Sequence, residues 1–279
     1  MKICFWGVRG SIPTPGRDTV EIGGNTSCVE IRCGKTILVF DGGTGLRLLG
    51  QKLLAEMPLT AHLFFSHVHW DHIQGFPFFA PAFIGGNTIH LYGGTDVEHT
   101  LQETLSGQMS YPNFPVLLKE MAATMTFRDL SEGEEVVLDD GEGHPITVRP
   151  AAGNHPNGVW AYRIDHRGKS AVYATDTEHY DDVDPKLLAI ARGVDVLIYD
   201  SQYTPEEYAG KTGGGSKRGW GHSTFEAGCA LAKAAGAKKY VLYHHDPGQS
   251  DAAVRDKERR ARELFPNVVA AQDGLVLEP

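Results

Sequence analysis

Apolar residues in the first third of the chain fall in short blocks bounded by glycine, proline or asparagine. KICFWGV (2–8), TSCVEIRC (26–33), KTILVFD (35–41) and AHLFFS (61–66) are rich in β-branched and aromatic residues, which predicts strands. GLRLLGQKLLAEM (45–57) and DVEHTLQETLSGQM (96–109) instead space their apolar residues three and four apart, which predicts helices. Strand patterns return in EEVVLD (134–139), PITVRPA (145–151), VWAYRID (159–165) and KSAVYATD (169–176). The last third alternates, with helices over 185–193, 225–237 and 251–265 and strands over 194–200, 239–245 and 275–279. Two blocks of strands, each with helices, predict an α/β fold of two packed sheets.

Several of these strands run out into an aspartate or a histidine. The ends carry Asp41, His67, Asp176, Asp200 and the pair His244 and His245. Strand ends in layered α/β folds deliver side chains to one rim, where a site can assemble.

The densest such end is FFSHVHWDHIQG (64–75), which holds His67, His69, Asp71 and His72. On a continuous helix His69 would lie about 200° from His67. On a continuous strand His72 would face away from the other three. A strand that turns into a helix near Asp71 brings all four to one space. Neutral imidazole and carboxylate suit zinc, iron or manganese. Four ligands so tightly spaced are more easily divided between two neighbouring ions than given to one.

Composition narrows the setting. The net charge is −9 with no long basic run, which weighs against a nucleic-acid polymer as partner. A small anionic substrate stays compatible, because a metal supplies local positive charge. There is no run of about 18 apolar residues, so no membrane span is expected. The start, MKICFWGVRGSIPTPG, brings charge and turn residues too early for a signal peptide. Cys4, Cys28, Cys33 and Cys229 form no CxxC pair and read as reduced thiols, which suggests a cytoplasmic protein.

HxHxDH, standing here as His67, His69, Asp71 and His72, resembles the signature of the metallo-β-lactamase-fold hydrolases. GNHP, YATDT and LYHHDP add His155, Asp176 and His244 in that family's order. The resemblance implies an αβ/βα sandwich of two mixed sheets flanked by helices, with residues 1–279 as one hydrolase domain. It also implies two divalent ions, zinc first, with manganese or iron as alternatives. His67, His69 and His155 would hold one ion. Asp71, His72 and His244 would hold the other, with Asp176 bridging. Asp41, in FDGGTG, would organise the surroundings of the ligands. His245 rivals His244, and adjacent strand residues face opposite ways, so His244 is the expected ligand.

An aspartate at 176, where true β-lactamases place a cysteine, is similar to the hydrolytic branches. GWGHSTFEAG (219–228) resembles the histidine–serine–threonine motif of ribonuclease Z-like phosphodiesterases, in which the histidine assists the leaving oxygen. Ser223 and Glu226 have capping-box spacing, which puts His222 just ahead of a helix N-terminus that favours phosphate. Asp200 is the expected partner of His222. GSIPTPG and GGNTSC also look like the opening motifs of that branch, which makes Asn25, Thr26 and Ser27 candidate pocket residues. Lys217 and Arg218, in the glycine-rich loop 209–221, are candidates to close over a phosphate.

His155 and Asp176 stand 21 positions apart, too close for the long arm with which transfer-RNA processing members grip RNA. With the acidic charge this directs the expectation to a small phosphodiester, a cyclic nucleotide by analogy. It would be hydrolysed by a metal-bridging hydroxide with Asp71, His222 and Asp200 as catalytic residues, with no organic cofactor. The enzymatic alternative is a carboxylic-ester, lactone or thioester hydrolase on the same metals; the alternative of another class is a non-catalytic metal-dependent sensor. SGQMSYPNFPV (106–116) reads as a lid, a base-stacking platform, a homodimer contact or ordinary packing. His62, His90, His99, His144, His166 and His179 read as structural or exposed.

Overall fold

The computed structural model describes residues 1–94, 100–179 and 181–279. Among the described residues, fourteen strands form two seven-stranded sheets. The first holds β1 (Lys2–Gly7), β2 (Cys28–Cys33), β3 (Thr36–Phe40), β4 (Thr60–Phe64), β5 (Thr88–Gly94), β6 (Thr124–Leu130) and β14 (Val276–Leu277), ordered β14-β1-β2-β3-β4-β5-β6. The second holds β7 (Val136–Asp139), β8 (Pro145–Ala152), β9 (Trp160–His166), β10 (Lys169–Ala174), β11 (Val196–Asp200), β12 (Lys239–Tyr243) and β13 (Val268–Ala270), ordered β13-β12-β11-β10-β9-β8-β7. Strands β3 to β6 are mutually parallel, as are β10 to β13, and the rest pair antiparallel. This is the αβ/βα sandwich of two mixed sheets that the resemblance implied.

The helices are α1 (Gly45–Leu53), α2 (Trp70–Ile73), α3 (Leu101–Gln108), α4 (Pro185–Ala191), α5 (Pro205–Tyr208), α6 (Phe225–Ala235) and α7 (Asp251–Leu264). Alternate residues of β3 and β4 face different cores. Leu38, Phe40 and Phe64 join the core shared with the second sheet, while Ile37, Val39 and Leu63 pack beneath α1 and α3. Burial on both faces explains why these strands read as nearly continuous apolar runs. Between the sheets Phe40 packs against Phe64, Tyr162 and Tyr173 at ring separations of 5.3, 5.7 and 5.6 Å. Such pairs contribute about 0.5–1.5 kcal/mol each beyond their buried area.

Some expectations shift. The helix expected over 45–57 ends at Leu53 and tightens into a 3₁₀ turn over 54–56. The helix expected from 96 is described from Leu101, and its residues 96–99, with His99, lie outside the described residues. Strands β5, β6 and β13 had no predicted counterpart. No helix among the described residues is long and apolar enough to cross a membrane.

Candidate active site

Parallel strands β3 and β4 of one sheet and β10, β11 and β12 of the other all end at one rim. Asp41 directly follows β3, His67 lies just past β4, Asp176 just past β10, Asp200 closes β11 and His244 follows β12. To turn inward at once, Asp41, Asp176 and His244 take left-handed backbone, with φ of 61°, 50° and 60°. Such a conformation costs a non-glycine residue about 1–3 kcal/mol, and it persists where surrounding contacts over-determine it. The Asp176 backbone N–H donates to Asp200 Oδ2 at 3.0 Å, one such contact.

The stretch after β4 makes the expected turn, with His69 as N-cap of the four-residue α2. Ligand-type atoms of His67, His69 and His155 gather within 4.8 Å of one another, and so do those of Asp71, His72, Asp176 and His244. Asp176 ties the groups together, its Oδ1 lying 3.3 Å from His72 Nε2 and 3.2 Å from His244 Nε2, and its Oδ2 3.8 Å from His67 Nε2. His244 Nε2 is also 3.2 Å from Asp71 Oδ2, and His155 Nε2 is 3.1 Å from His69 Nδ1. His245 points away and pairs its Nε2 with the Ala271 carbonyl at 3.0 Å.

A divalent cation fits this donor set. Among the described residues, the buried nitrogens His67 Nε2 and His72 Nε2 have no hydrogen-bond partner. Burial holds His67 well below the usual imidazole range, so it presents the neutral ring a metal requires. At His72, burial is outweighed by Asp176, Asp71 and Asp41, which favour positive charge on the ring. The field that favours a proton there favours a cation too. Asp176 and Asp71 are held well below the usual carboxylate range despite burial, Asp176 chiefly by His244 and His72, Asp71 chiefly by His72 and His244.

The opposite ring nitrogens are fixed in turn. His72 Nδ1 pairs with Asp41 Oδ2 at 2.8 Å, His244 Nδ1 with Gln202 Oε1 at 2.9 Å, and His155 Nδ1 with the Gly221 carbonyl at 2.8 Å. Asp41 also accepts from the Ser66 hydroxyl at 2.7 Å and the Tyr173 hydroxyl at 2.6 Å. Ser11 N–H donates to Asp71 Oδ2 at 2.7 Å. Two glycines permit the close approach: a Cβ at Gly10 would sit 2.4 Å from His244 Cε1, and one at Gly221 2.1 Å from His155 Nδ1. Sequence reasoning missed Ser11, Ser66, Tyr173 and Gln202. Of these, Ser66 carried a signal, since it directly precedes His67 at the strand end.

His222 sits at the edge of the cluster, its Nδ1 3.0 Å from Asp200 Oδ2 and 3.8 Å from Asp176 Oδ2. Burial opposes charge on His222, but Asp200, with Asp176 and Asp71, pushes its pKa up to about 9. Helix α6 is capped by Thr224, whose hydroxyl accepts from Ala227 N–H, and not by Ser223. The Ser223 hydroxyl instead pairs with Tyr199 and His179, each at 3.0 Å, because its own N–H is already turned into Asp200.

The other expected pocket residues are placed differently. Thr26 and Ser27 are fully buried, and the Thr26 hydroxyl bonds Thr44 N–H and Gln74, so both support the wall and present nothing to a ligand. Asn25 Nδ2 donates to Asp273 at 2.9 Å. Lys217 lies over the Trp220 ring at 4.2 Å, and exposed Arg218 pairs with Asp181 at 3.8 Å. Neither cation touches the cluster. In the 106–116 segment Met109 is buried in the core and Phe114 packs against it, leaving Tyr111 exposed.

Residues 36–245 match the family described as the β-lactamase superfamily domain. Ribonuclease Z of Pyrococcus horikoshii is 23% identical over 313 residues, covering 98% of this chain and 94% of that one. The metallo-β-lactamase-fold protein YhfI of Bacillus subtilis superposes with a TM-score of 0.70 at 20% identity, covering 100% of this chain and 98% of its own. The short form of human tRNase Z superposes with a TM-score of 0.66 at 19% identity, covering 100% and 99%. These relatives overturn the expectation that no nucleic-acid polymer is involved. Net charge misled because it sums the whole chain, while Asp41, Asp71, Asp176 and Asp200 are buried in the cluster and do not face an approaching polyanion.

Proposed function

The chain belongs to the β-lactamase superfamily and is a metal-dependent hydrolase, and from that premise we propose that it cleaves a phosphodiester bond in RNA. The observation that carries this reading is the His222–Asp200 pair beside the metal-type cluster, which holds an imidazole where an alkoxide leaving group needs a proton and a thiolate leaving group does not.

His67, His69 and His155 would hold one divalent ion, and Asp71, His72 and His244 a second, with Asp176 between them. Zinc is the first candidate for this nitrogen-rich set. Such ions, when bound, supply Lewis-acid charge to a phosphate and lower the pKa of water. The chain's own residues do the rest. Asp200 holds His222 by Nδ1, which leaves Nε2 to carry the proton that the leaving oxygen takes. Asp71, fixed by Ser11 N–H, keeps its carboxylate turned into the cluster, where it orients the attacking water. Asn25, Lys217 and Arg218 lie further out and would meet the strand beyond the reacting phosphate. The four cysteines are free and buried, which suits the reducing cytoplasm, and we read residues 1–279 as one domain.

A cyclic nucleotide is the second reading. It is favoured by the tight hairpin between β9 and β10, which leaves no long arm between His155 and Asp176. Zinc- or manganese-supplemented protein, offered an oligoribonucleotide, 3′,5′-cyclic nucleotides and a thioester, separates these readings. The RNA reading expects cleavage of the oligoribonucleotide and a loss of about 10²–10⁴-fold in His222→Ala with metal content kept. Turnover of the thioester alone would overturn it.

A further inference from the structure

Beside the cluster, on the side of the first sheet, a cleft of about 500 Å³ opens between α2 and the end of α3. Its lining includes Trp70, Gln74, Thr104, Gly107, Gln108 and Asn113. Trp70 is 80% exposed, an unusual place for the largest apolar side chain, and it stands between His69 and Asp71 in the chain. Consecutive Cα atoms are about 3.8 Å apart, so its backbone is one residue from both metal-type groups.

The walls carry amide chemistry. Gln74 and Gln108 spend an N–H on the Thr26 hydroxyl and the Ile73 carbonyl. Gln74 thereby ties the cleft to the loop before β2, and both amides keep their oxygens as acceptors. Asn113 is exposed, which leaves its amide open to solvent. Gly107 adds a smooth patch, because a Cβ there would meet nothing within 4 Å.

We infer that this cleft is a nucleobase subsite: Trp70 stacks on an unpaired base next to the scissile phosphodiester, and the amides of Gln74, Gln108 and Asn113 read its edge. An exposed aromatic ring with amides around it is the combination that single-stranded RNA binders use, stacking for affinity and amide hydrogen bonds for base edges. A packing role does not account for a ring that is mostly in solvent. The inference rests on the reading of the protein as an RNA phosphodiesterase and adds where the base beside the reacting phosphate goes.

The test compares the metal-loaded wild type with Trp70→Ala and Gly107→Leu. Gly107→Leu leaves the cluster's neighbours untouched and fills the cleft from its open side. Substrates are single-stranded oligoribonucleotides, either intact or with one abasic ribonucleotide on either side of the cleavage position. Wild type should lose between about 5-fold and 150-fold in kcat/KM on one of the two abasic substrates, the range for a single base–aromatic stack. Both variants should show a raised KM on the intact substrate and an intact-to-abasic ratio near one. Full discrimination retained by Trp70→Ala and Gly107→Leu, or none in the wild type, would overturn the subsite while leaving the RNA reading in place. A wild type that cleaves no oligoribonucleotide removes both.

Discussion

Asp41 and His72 meet through a 2.8 Å contact between Oδ2 and Nδ1, deep beneath the cluster and out of reach of solvent. That contact fixes which nitrogen of His72 faces the site. Asp41 is itself held by Ser66 N–H at 2.7 Å and by the hydroxyls of Ser66 and Tyr173, so the second sheet helps to aim a histidine of the first.

Replacing Asp41 by asparagine keeps its size, and asparagine tolerates the left-handed backbone. It removes the charge that His72 leans on. Asp41→Asn should weaken divalent-metal affinity about 10–100-fold, the usual cost of losing such a supporting partner. Competition with a chromogenic chelator measures this, and an unchanged affinity would mean that His72 needs no anchor.

His244 and His245 are adjacent, yet one is in the cluster and the other is bonded to the Ala271 carbonyl. His244→Ala should lower bound metal per chain and abolish activity. His245→Ala should keep its metal while losing about 2–4 kcal/mol of stability, as a buried side chain is removed. Metal analysis beside urea unfolding reads both, and the reverse pattern would reassign the ligand.

Lys257 supplies a pH dependence from a side chain that is not itself in the cluster. Its Nζ is buried against the carbonyl of Ser201 at 2.6 Å and Gln249 Oε1 at 2.7 Å, and burial pushes its pKa down to about 7. Between pH 7 and about 10 the unfolded chain binds this proton and the folded chain does not. Stability from this group is therefore greatest above pH 10, falls as pH drops to 7, and changes no further below that. His222 and the buried cysteines titrate with the opposite sign in this range, so the group is read by difference: the urea midpoint of wild type relative to that of Lys257→Met, which cannot titrate, should rise from pH 7 to 9.5. Equal slopes would contradict the assignment.

Much of this site was legible because its chemistry sits where strands stop. Asp41, His67, Asp176, Asp200 and His244 follow apolar runs whose length and bounds mark a strand end, and the crowding of His67 to His72 admits few geometries. Other parts were not legible. Strand β6 lies at a sheet edge, breaks its alternation at Arg128–Asp129 and buries only Leu130, so its pattern is weak. Helix α2 is one turn long with no periodicity to read, and it was the crowding of His67 to His72 alone that marked it. Gln202, Ser66 and Tyr173 depend on which strands lie side by side, a property of the whole sheet. Thr26 and Ser27 look polar and available in the chain, and only the packing of α1 against β1 and β2 shows them enclosed. The charge argument failed for a related reason, because counting carboxylates says nothing about which way they point.

Seven side chains from both sheets are placed to gather around a pair of divalent ions. Anomalous scattering from crystals grown with zinc, recorded on both sides of the absorption edge, tests it most directly. Two peaks are expected, one among His67, His69 and His155 and one among Asp71, His72 and His244, with Asp176 reaching both. Zinc absent from both positions, or bound elsewhere on the surface while the protein hydrolyses phosphodiesters at full rate, would contradict it.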